Sequence, residues 1–286
     1  TFRKDICYIN NRRPAEVKYI DNLYDDLLRR DFTINAICMD EDGNIIDLLN
    51  GQEDIEKRVV RTIGDARVKF EEDSLRILRA IRFATILDFK LDDEVIEAIK
   101  EYKYLLKGLS YYRKKEELDR VFTSSNSMNG IKLLLELGLD KELELDRLRE
   151  VKNTDDLIAV WSILNVVDKY PFSSNEKNLI ENVNKVLSFN NLDPMVLYTY
   201  GLYVNSIAGS IKGMDKKTIT ESYNGLVIHY KRDLNISCED ILKALNKKAG
   251  KYLKDIYEDL IHEVLYRRVP NDREELIKYV LNKYGE

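Results

Sequence analysis

RRDFTINAICMD, residues 29–40, sets two arginines and an aspartate directly before a run of alternating side chains. Strand side chains point to opposite faces in turn, so Phe32, Ile34, Ala36 and Cys38 against Thr33, Asn35, Ile37 and Met39 predict a half-buried strand. Three charges then stand at its mouth. The plainer reading is a helix end carrying basic residues beside a solvated turn, and the neighbouring sequence has to decide between them.

Working outward, AEVKYI (15–20) also reads as a strand, NIIDLL (44–49) follows an EDG turn, and DNLYDDLLRR (21–30) reads as a short helix. Residues 1–62 are therefore of α/β character. The opening TFRKD reads as the end of a strand and the chain does not begin with methionine, so the natural protein is expected to start earlier. After Gly64 everything reads as helix. EEDSLRILRAIRFATIL (71–87) carries Leu75, Leu78, Ile81 and Ile86 at helical spacing, DDEVIEAIKEYKYLL (92–106) follows, and further helical segments run to the end. SSNS (124–127) and PFSSNE (171–176) are the best seams, and no fixed-period repeat is present.

Composition bounds the class. The 286 residues are 44% hydrophobic and 34% charged with only 12 Gly and 4 Pro, which fits a helix-rich protein of two or more compact units. No stretch approaches a membrane span or a secretory signal, so a cytoplasmic protein is expected. Cys7, Cys38 and Cys238 lack CxxC spacing and read as reduced thiols. With 46 basic and 51 acidic residues the net charge is −5, so any nucleic-acid contact must come from local basic patches.

Two constellations could carry chemistry. Asp73, Arg76, Arg79 and Arg82 recur every three residues and form a slanting ridge, where like charges disfavour a bare helix. Guanidinium forks suit phosphate oxygens, so the row would fit a triphosphate beside Asp31; the bland reading is a solvated face paired to acids such as Glu71 and Glu72. Asp73 and Arg76, one turn apart at a helix start, set an acceptor beside a donor. Cytosine and adenine both present an amino group next to an unprotonated ring nitrogen, which such a pair matches, whereas guanine and uracil present the opposite pattern. As bare pattern, the pair is also an ordinary cap with a salt bridge.

In that order and spacing, RRDFTINA (29–36), IIDLLNGQEDI (45–55) and EEDSLRILRAIRFA (71–84) resemble the class II nucleotidyltransferases, the tRNA CCA-adding enzymes and bacterial poly(A) polymerases. YYRKKEELDRVF (111–122) and ISCEDILKAL (236–245) with NDREELIKYVL (271–281) extend the resemblance more loosely to the family's neck and tail. It implies an α+β molecule: part of a DNA polymerase β-like α/β nucleotidyltransferase head over 1–62, then an all-α neck over 63–123 with the nucleotide-selecting helix, body over 124–205 and tRNA-binding tail over 206–286. It implies that Arg30 contacts the triphosphate, Asp31 and Asn35 the ribose, and that Glu72, Asp73 and Arg76 form the base-selecting motif, with Arg79 and Arg82 completing the phosphate contacts. Arg12 and Arg13 match the end of the flexible loop whose presence favours A addition. The implied reaction is template-independent addition of two C and one A to the tRNA 3′ end from CTP and ATP with Mg2+.

One departure is large. The family's Gly-Gly turn, Arg-Asp and strand-borne Asp-x-Asp have no counterpart, and Asp25/Asp26 and Asp92/Asp93 are adjacent rather than alternate, so they cannot aim from one strand face at one metal. The metal and catalytic residues are expected upstream of Thr1 and the chain alone is expected to be inactive. LNKKAGKYLK (245–254) offers Lys247, Lys248, Lys251 and Lys254 for tRNA phosphates. His229 and His262 lack metal-site spacing, and Trp161 reads as core. A poly(A) polymerase and a non-catalytic RNA-binding module are the alternatives, and the lack of a basic C-terminal extension leans against the first.

Overall fold

The computed structural model describes residues 2–9, 13–152, 154 and 156–285, with side chains at 19 and from 21 onward. Two compact units make up the chain, Thr1–Lys177 and Asn178–Glu286. In the first, β1 (Phe2–Ile9) and β2 (Arg13–Ile20) pair as an antiparallel hairpin with Phe2 opposite Ile20. The opening residues, expected to close a strand, instead begin one. Asn22 caps α1 (Leu23–Leu28) by accepting from the Tyr24 amide at 3.0 Å, and Leu27 is buried with Ala36 and Ile63.

The strand expected over 32–39 is mostly a turn. Phe32 makes an isolated bridge to Thr62, Thr33–Asn35 is a 3₁₀ turn, and only β3 (Cys38–Met39) pairs with β4 (Ile45–Ile46). Local side-chain bonds explain the difference, because they offer the backbone an alternative to a ladder. Asp31 Oδ1 accepts from the Phe32 amide and from Asn35 Nδ2, both at 3.0 Å, and the Thr33 hydroxyl donates to Asp54 at 2.6 Å. α2 (Gly51–Glu56) then packs so tightly on this turn that a Cβ at Gly51 would lie 2.4 Å from the Thr33 carbonyl oxygen.

β5 (Val59–Val60) runs parallel to β6 (Lys90–Leu91), so the region after Gly64 is not wholly helical as expected. The single helix expected from Glu71 is two helices: α3 (Ala66–Glu72) and α4 (Leu75–Leu87), with Asp73 extended between them at φ −147°, ψ 103°. α5 (Asp93–Tyr102), α6 (Tyr111–Phe122), α7 (Ser127–Glu136), α8 (Leu139–Glu142) and α9 (Leu157–Leu164) follow. α4 packs on α6 and α7, and Ile77, Ile81 and Ala84 of α4, Leu118 and Phe122 of α6 and Leu134 of α7 are all buried. Trp161 is core, as expected: Phe122, Tyr170 and Phe172 surround it at 5.1–5.6 Å between ring centres, and its Nε1 donates to Asp119 at 2.8 Å.

α10 (Ser174–Leu187) begins at the end of the first unit and continues into the second. α11 (Pro194–Ile211) breaks at Gly201, whose φ of 72° and ψ of 173° an L side chain resists. Asn205 bridges the break by donating to the Gly201 carbonyl at 2.8 Å. α12 (Lys216–Asn224) packs on α11, and α13 (Cys238–Leu245), α14 (Tyr252–Leu265) and α15 (Arg273–Tyr284) complete the second unit around Ile241, Ile256, Leu260, Val264, Leu276 and Val280. Among the described residues no helix is long and apolar enough to cross a membrane.

Candidate functional site

The end of α1 is organised by one buried acid. Asp26 accepts from Arg29 at 2.7 Å and from Arg30 Nη2 at 3.2 Å, one helical turn onward in each case. Arg30 Nη1 also donates to the Asn35 carbonyl at 2.8 Å, which closes the following turn back on the helix. Asp31, buried within that turn, accepts on its other oxygen from Arg79 Nε of α4 at 2.5 Å. Segments 48 residues apart in sequence are thereby bonded directly.

The break between α3 and α4 is held from three sides. Asp73 Oδ1 accepts from the Leu75 amide at 3.1 Å, capping α4, while Arg113 Nη2 of α6 donates to both carboxylate oxygens at 3.2 and 3.0 Å. Arg76 is buried: Nη1 donates to the Lys69 carbonyl at 2.9 Å and to Glu72, and Nη2 donates to the Arg29 carbonyl at 3.0 Å. So Asp73 is not in the first turn of a continuous helix. It stands at a junction, which no proline or glycine in the sequence betrays.

The arginine row is neither an open ridge nor a solvated face. Arg76 and Arg82 are 7% and 4% exposed, and each arginine has an acid: Glu72 for Arg76, Asp31 for Arg79, Glu117 of α6 for Arg82 at 3.2 Å. Arg82 also lies 4.4 Å from the Phe83 ring centre. Burial pushes the Glu117 carboxyl up and the Arg82 guanidinium down from their ordinary values, because both charged forms lose water. Arg82 thus faces a neighbouring helix and not the Asp73 junction.

Sequence reasoning missed Asp26, Lys69, Arg113 and Glu117. Asp26 was detectable, since it sits three and four residues before Arg29 and Arg30 on a helical segment. Arg113 and Glu117 lie four apart in α6, a spacing that marks one helix face but names no partner.

Of the other expected site residues, Arg12 and the side chain of Arg13 lie outside the described residues, and so does the side chain of Cys7. Cys38 is half-buried and Cys238 exposed, both without a disulfide. Lys247, Lys248, Lys251 and Lys254 are all exposed around the start of α14, where the Tyr252 hydroxyl donates to the Lys248 carbonyl at 2.7 Å and orders the loop. Among the described residues no group of three His, Cys, Asp or Glu side chains gathers for a metal. An Asp-x-Asp spacing does occur at Asp40 and Asp42, but in the exposed β3–β4 turn. There Asp40 accepts from Asn44 Nδ2 at 2.9 Å and from the amides of Asn44 and Asp42 at 2.7 and 3.0 Å, which hold its carboxyl below the usual range. Asp92 caps α5 and pairs with Arg61 at 3.0 Å. These residues do not fit a magnesium site.

Three family models match the chain: "Poly A polymerase head domain" over residues 1–61, "Probable RNA and SrmB- binding site of polymerase A" over 88–147, and "tRNA nucleotidyltransferase domain 2 putative" over 157–280. The CCA-adding enzyme of Staphylococcus haemolyticus is 32% identical over 312 residues, spanning 98% of this chain and 78% of that protein. In fold, the chain is similar to the Bacillus stearothermophilus CCA-adding enzyme in complex with CTP (TM-score 0.84, 24% identity, 99% of this chain and 78% of that one). It is also similar to the Thermotoga maritima CCA-adding enzyme complexed with tRNA_CCA (TM-score 0.65, 22% identity, 91% and 73%). An α/β start followed by helices, a bonded pair of motifs and a third of all residues shared with a CCA-adding enzyme lead to one assignment: the chain belongs to the family of CCA-adding tRNA nucleotidyltransferases and bacterial poly(A) polymerases.

Proposed function

We propose that this chain selects CTP and ATP for template-independent addition of C and A to the 3′ end of tRNA. The observation that carries the reading is the direct bonding of the 29–35 turn to α4, through Arg79 on Asp31 and Arg76 on the Arg29 carbonyl. It puts residues suited to ribose and phosphate beside residues suited to a base edge. Asp73 Oδ2 receives only Arg113, so a carboxylate oxygen with two lone pairs keeps room for a base amino group. Arg76 offers its donor to the adjacent ring nitrogen by releasing the Glu72 carboxylate. Uracil and guanine would turn a carbonyl toward the Asp73 carboxylate and a ring N–H toward Arg76, a mismatch at both points.

In this reading Arg30 and Arg79 hold the triphosphate, and Asp31 with Asn35 the ribose. Arg82 is buried on Glu117. The lysines at 247, 248, 251 and 254 hold tRNA phosphates, and a cytoplasmic setting follows from that substrate. The relatives' names as CCA-adding enzymes, and the CTP and tRNA_CCA complexes of proteins with this fold, support the reading. Magnesium would supply charge neutralisation at the triphosphate and activation of the 3′ hydroxyl. Residues 1–286 then select and hold substrates without turning them over.

The test is incubation of the chain with tRNA, magnesium and each labelled nucleoside triphosphate, alongside equilibrium binding of all four. Tighter binding of CTP and ATP than of UTP and GTP, with no label transferred, is the expected result. Equal binding of the four would sink the selection reading, label on the tRNA would overturn the inactivity, and repeated A without C would point to a poly(A) polymerase.

A further inference from the structure

We infer that Lys69 is a positioning residue that fixes the 29–35 turn against the Asp73–Arg76 junction and so sharpens which bases the site admits. This deepens the reading of Asp73 and Arg76 as the base-selecting pair and rests on it.

Lys69 sits on α3 and is 7% exposed. Its Nζ donates to the Leu28 carbonyl at 2.6 Å and lies 3.8 Å from the Glu72 carboxylate. Its own carbonyl accepts from Arg76 Nη1 at 2.9 Å, and Arg76 Nη2 closes the circuit on the Arg29 carbonyl at 3.0 Å. The two successive carbonyls that end α1, left without partners by the helix itself, are thus each held by a cation from the other side of the site. One of those cations is Arg76; the other is Lys69, whose ammonium bonds to neither Asp73 nor Asp31, while its carbonyl accepts from the Asp73 amide at 3.3 Å. Keeping an ammonium at this depth costs free energy, and burial accordingly pushes its pKa down. A residue there purely to fill space would be met more cheaply by methionine. What the ammonium adds is a fixed distance between the carbonyl preceding Arg29 and the residue preceding Asp73.

The experiment measures equilibrium affinities of the 286-residue chain for CTP and UTP well below its melting temperature, in the wild type, Lys69→Met, Lys69→Arg and Asp73→Ala. Losing a hydrogen bond to a charged donor should compress the CTP-to-UTP preference by about tenfold in Lys69→Met, with most of it restored in Lys69→Arg. A lysine that merely stabilises the fold would lower the melting temperature and leave the preference alone. An unchanged preference in Lys69→Met together with a collapsed one in Asp73→Ala overturns the inference and leaves the base-selecting pair standing. An unchanged preference in Asp73→Ala removes both. Should Lys69→Met fail to fold by circular dichroism, Lys69→Leu, which likewise removes the donor, carries the same comparison.

Discussion

The cations of α4 and those around the start of α14 are chemically alike and physically opposite. Arg76 and Arg82 keep 8% and 5% of their side chains exposed and each is fixed on a named acid, whereas Lys254 keeps 79% exposed beside Glu258 at 3.6 Å. Burial with fixed partners turns charge into geometry, because a desolvated guanidinium has few positions in which its donors are met. Exposure leaves charge as a field, felt by any phosphate and screened by salt. In the proposed reading, one part of the molecule discriminates and the other attracts.

The largest break in this comparison should come from Glu117→Ala, which strands Arg82 inside the first unit. Removing one partner of a buried pair costs about 3 to 5 kcal/mol, while Lys254→Ala should stay within about 0.5 kcal/mol. Urea unfolding of both variants checks this; equal stabilities would mean that Arg82 reaches water. Next comes Asp73→Ala, which should cut the preference for CTP and ATP over UTP and GTP by roughly one to two powers of ten, since a good bidentate contact contributes about 1 to 3 kcal/mol of discrimination. Arg79→Ala sharpens the point: its proposed partner is phosphate, so all four nucleotides should weaken alike. Binding titrations separate these outcomes.

Smaller effects distinguish the regions by pH. The Glu117 carboxyl is raised by burial, so the folded state holds its proton more tightly than the unfolded one. Its contribution is full below the ordinary value of 4.5 and is lost as pH rises through the raised folded value. Relative to wild type, Glu117→Gln should therefore gain stability with rising pH across that window. Asp240 of α13 has the opposite sign: Arg273 and the Ser237 cap hold it well below 3.8, so its contribution is present above that value and fades as pH falls. Asp240→Asn should lose its disadvantage in acid, measured by thermal melts on a pH series. Smallest for the fold is the loss of tail lysines. Lys247→Ala with Lys251→Ala should leave melting unchanged yet lower the salt slope of tRNA binding by about one per lysine; an unaltered slope would remove them from the tRNA contact.

Helices with a clear apolar stripe were legible: α5 and α13 to α15 fall within the segments that the 3.6-residue period marks, and α6 overlaps its segment but begins earlier. The 29–36 turn was not, because Asp31 and Asn35 redirect the backbone through side-chain bonds that an alternating pattern does not encode. The break at Asp73 was hidden for the same reason. Arg113, one of the residues that hold it, lies 40 residues onward, and a single sequence carries no sign of a pair that distant. The types of residue in the candidate site could be read from their spacing, and their partners could not.

Trp161 is the sole tryptophan of the chain, sealed among three aromatic rings with its N–H on Asp119, all within the first unit. Its fluorescence is therefore a reporter with a built-in address. Emission from so dry a setting should be blue-shifted and should redden only when the packing of α6 and α9 loosens. An optical melt followed at this wavelength would read one half of the protein and be blind to the other, so any gap between it and a circular dichroism melt would measure how independently the tail unfolds.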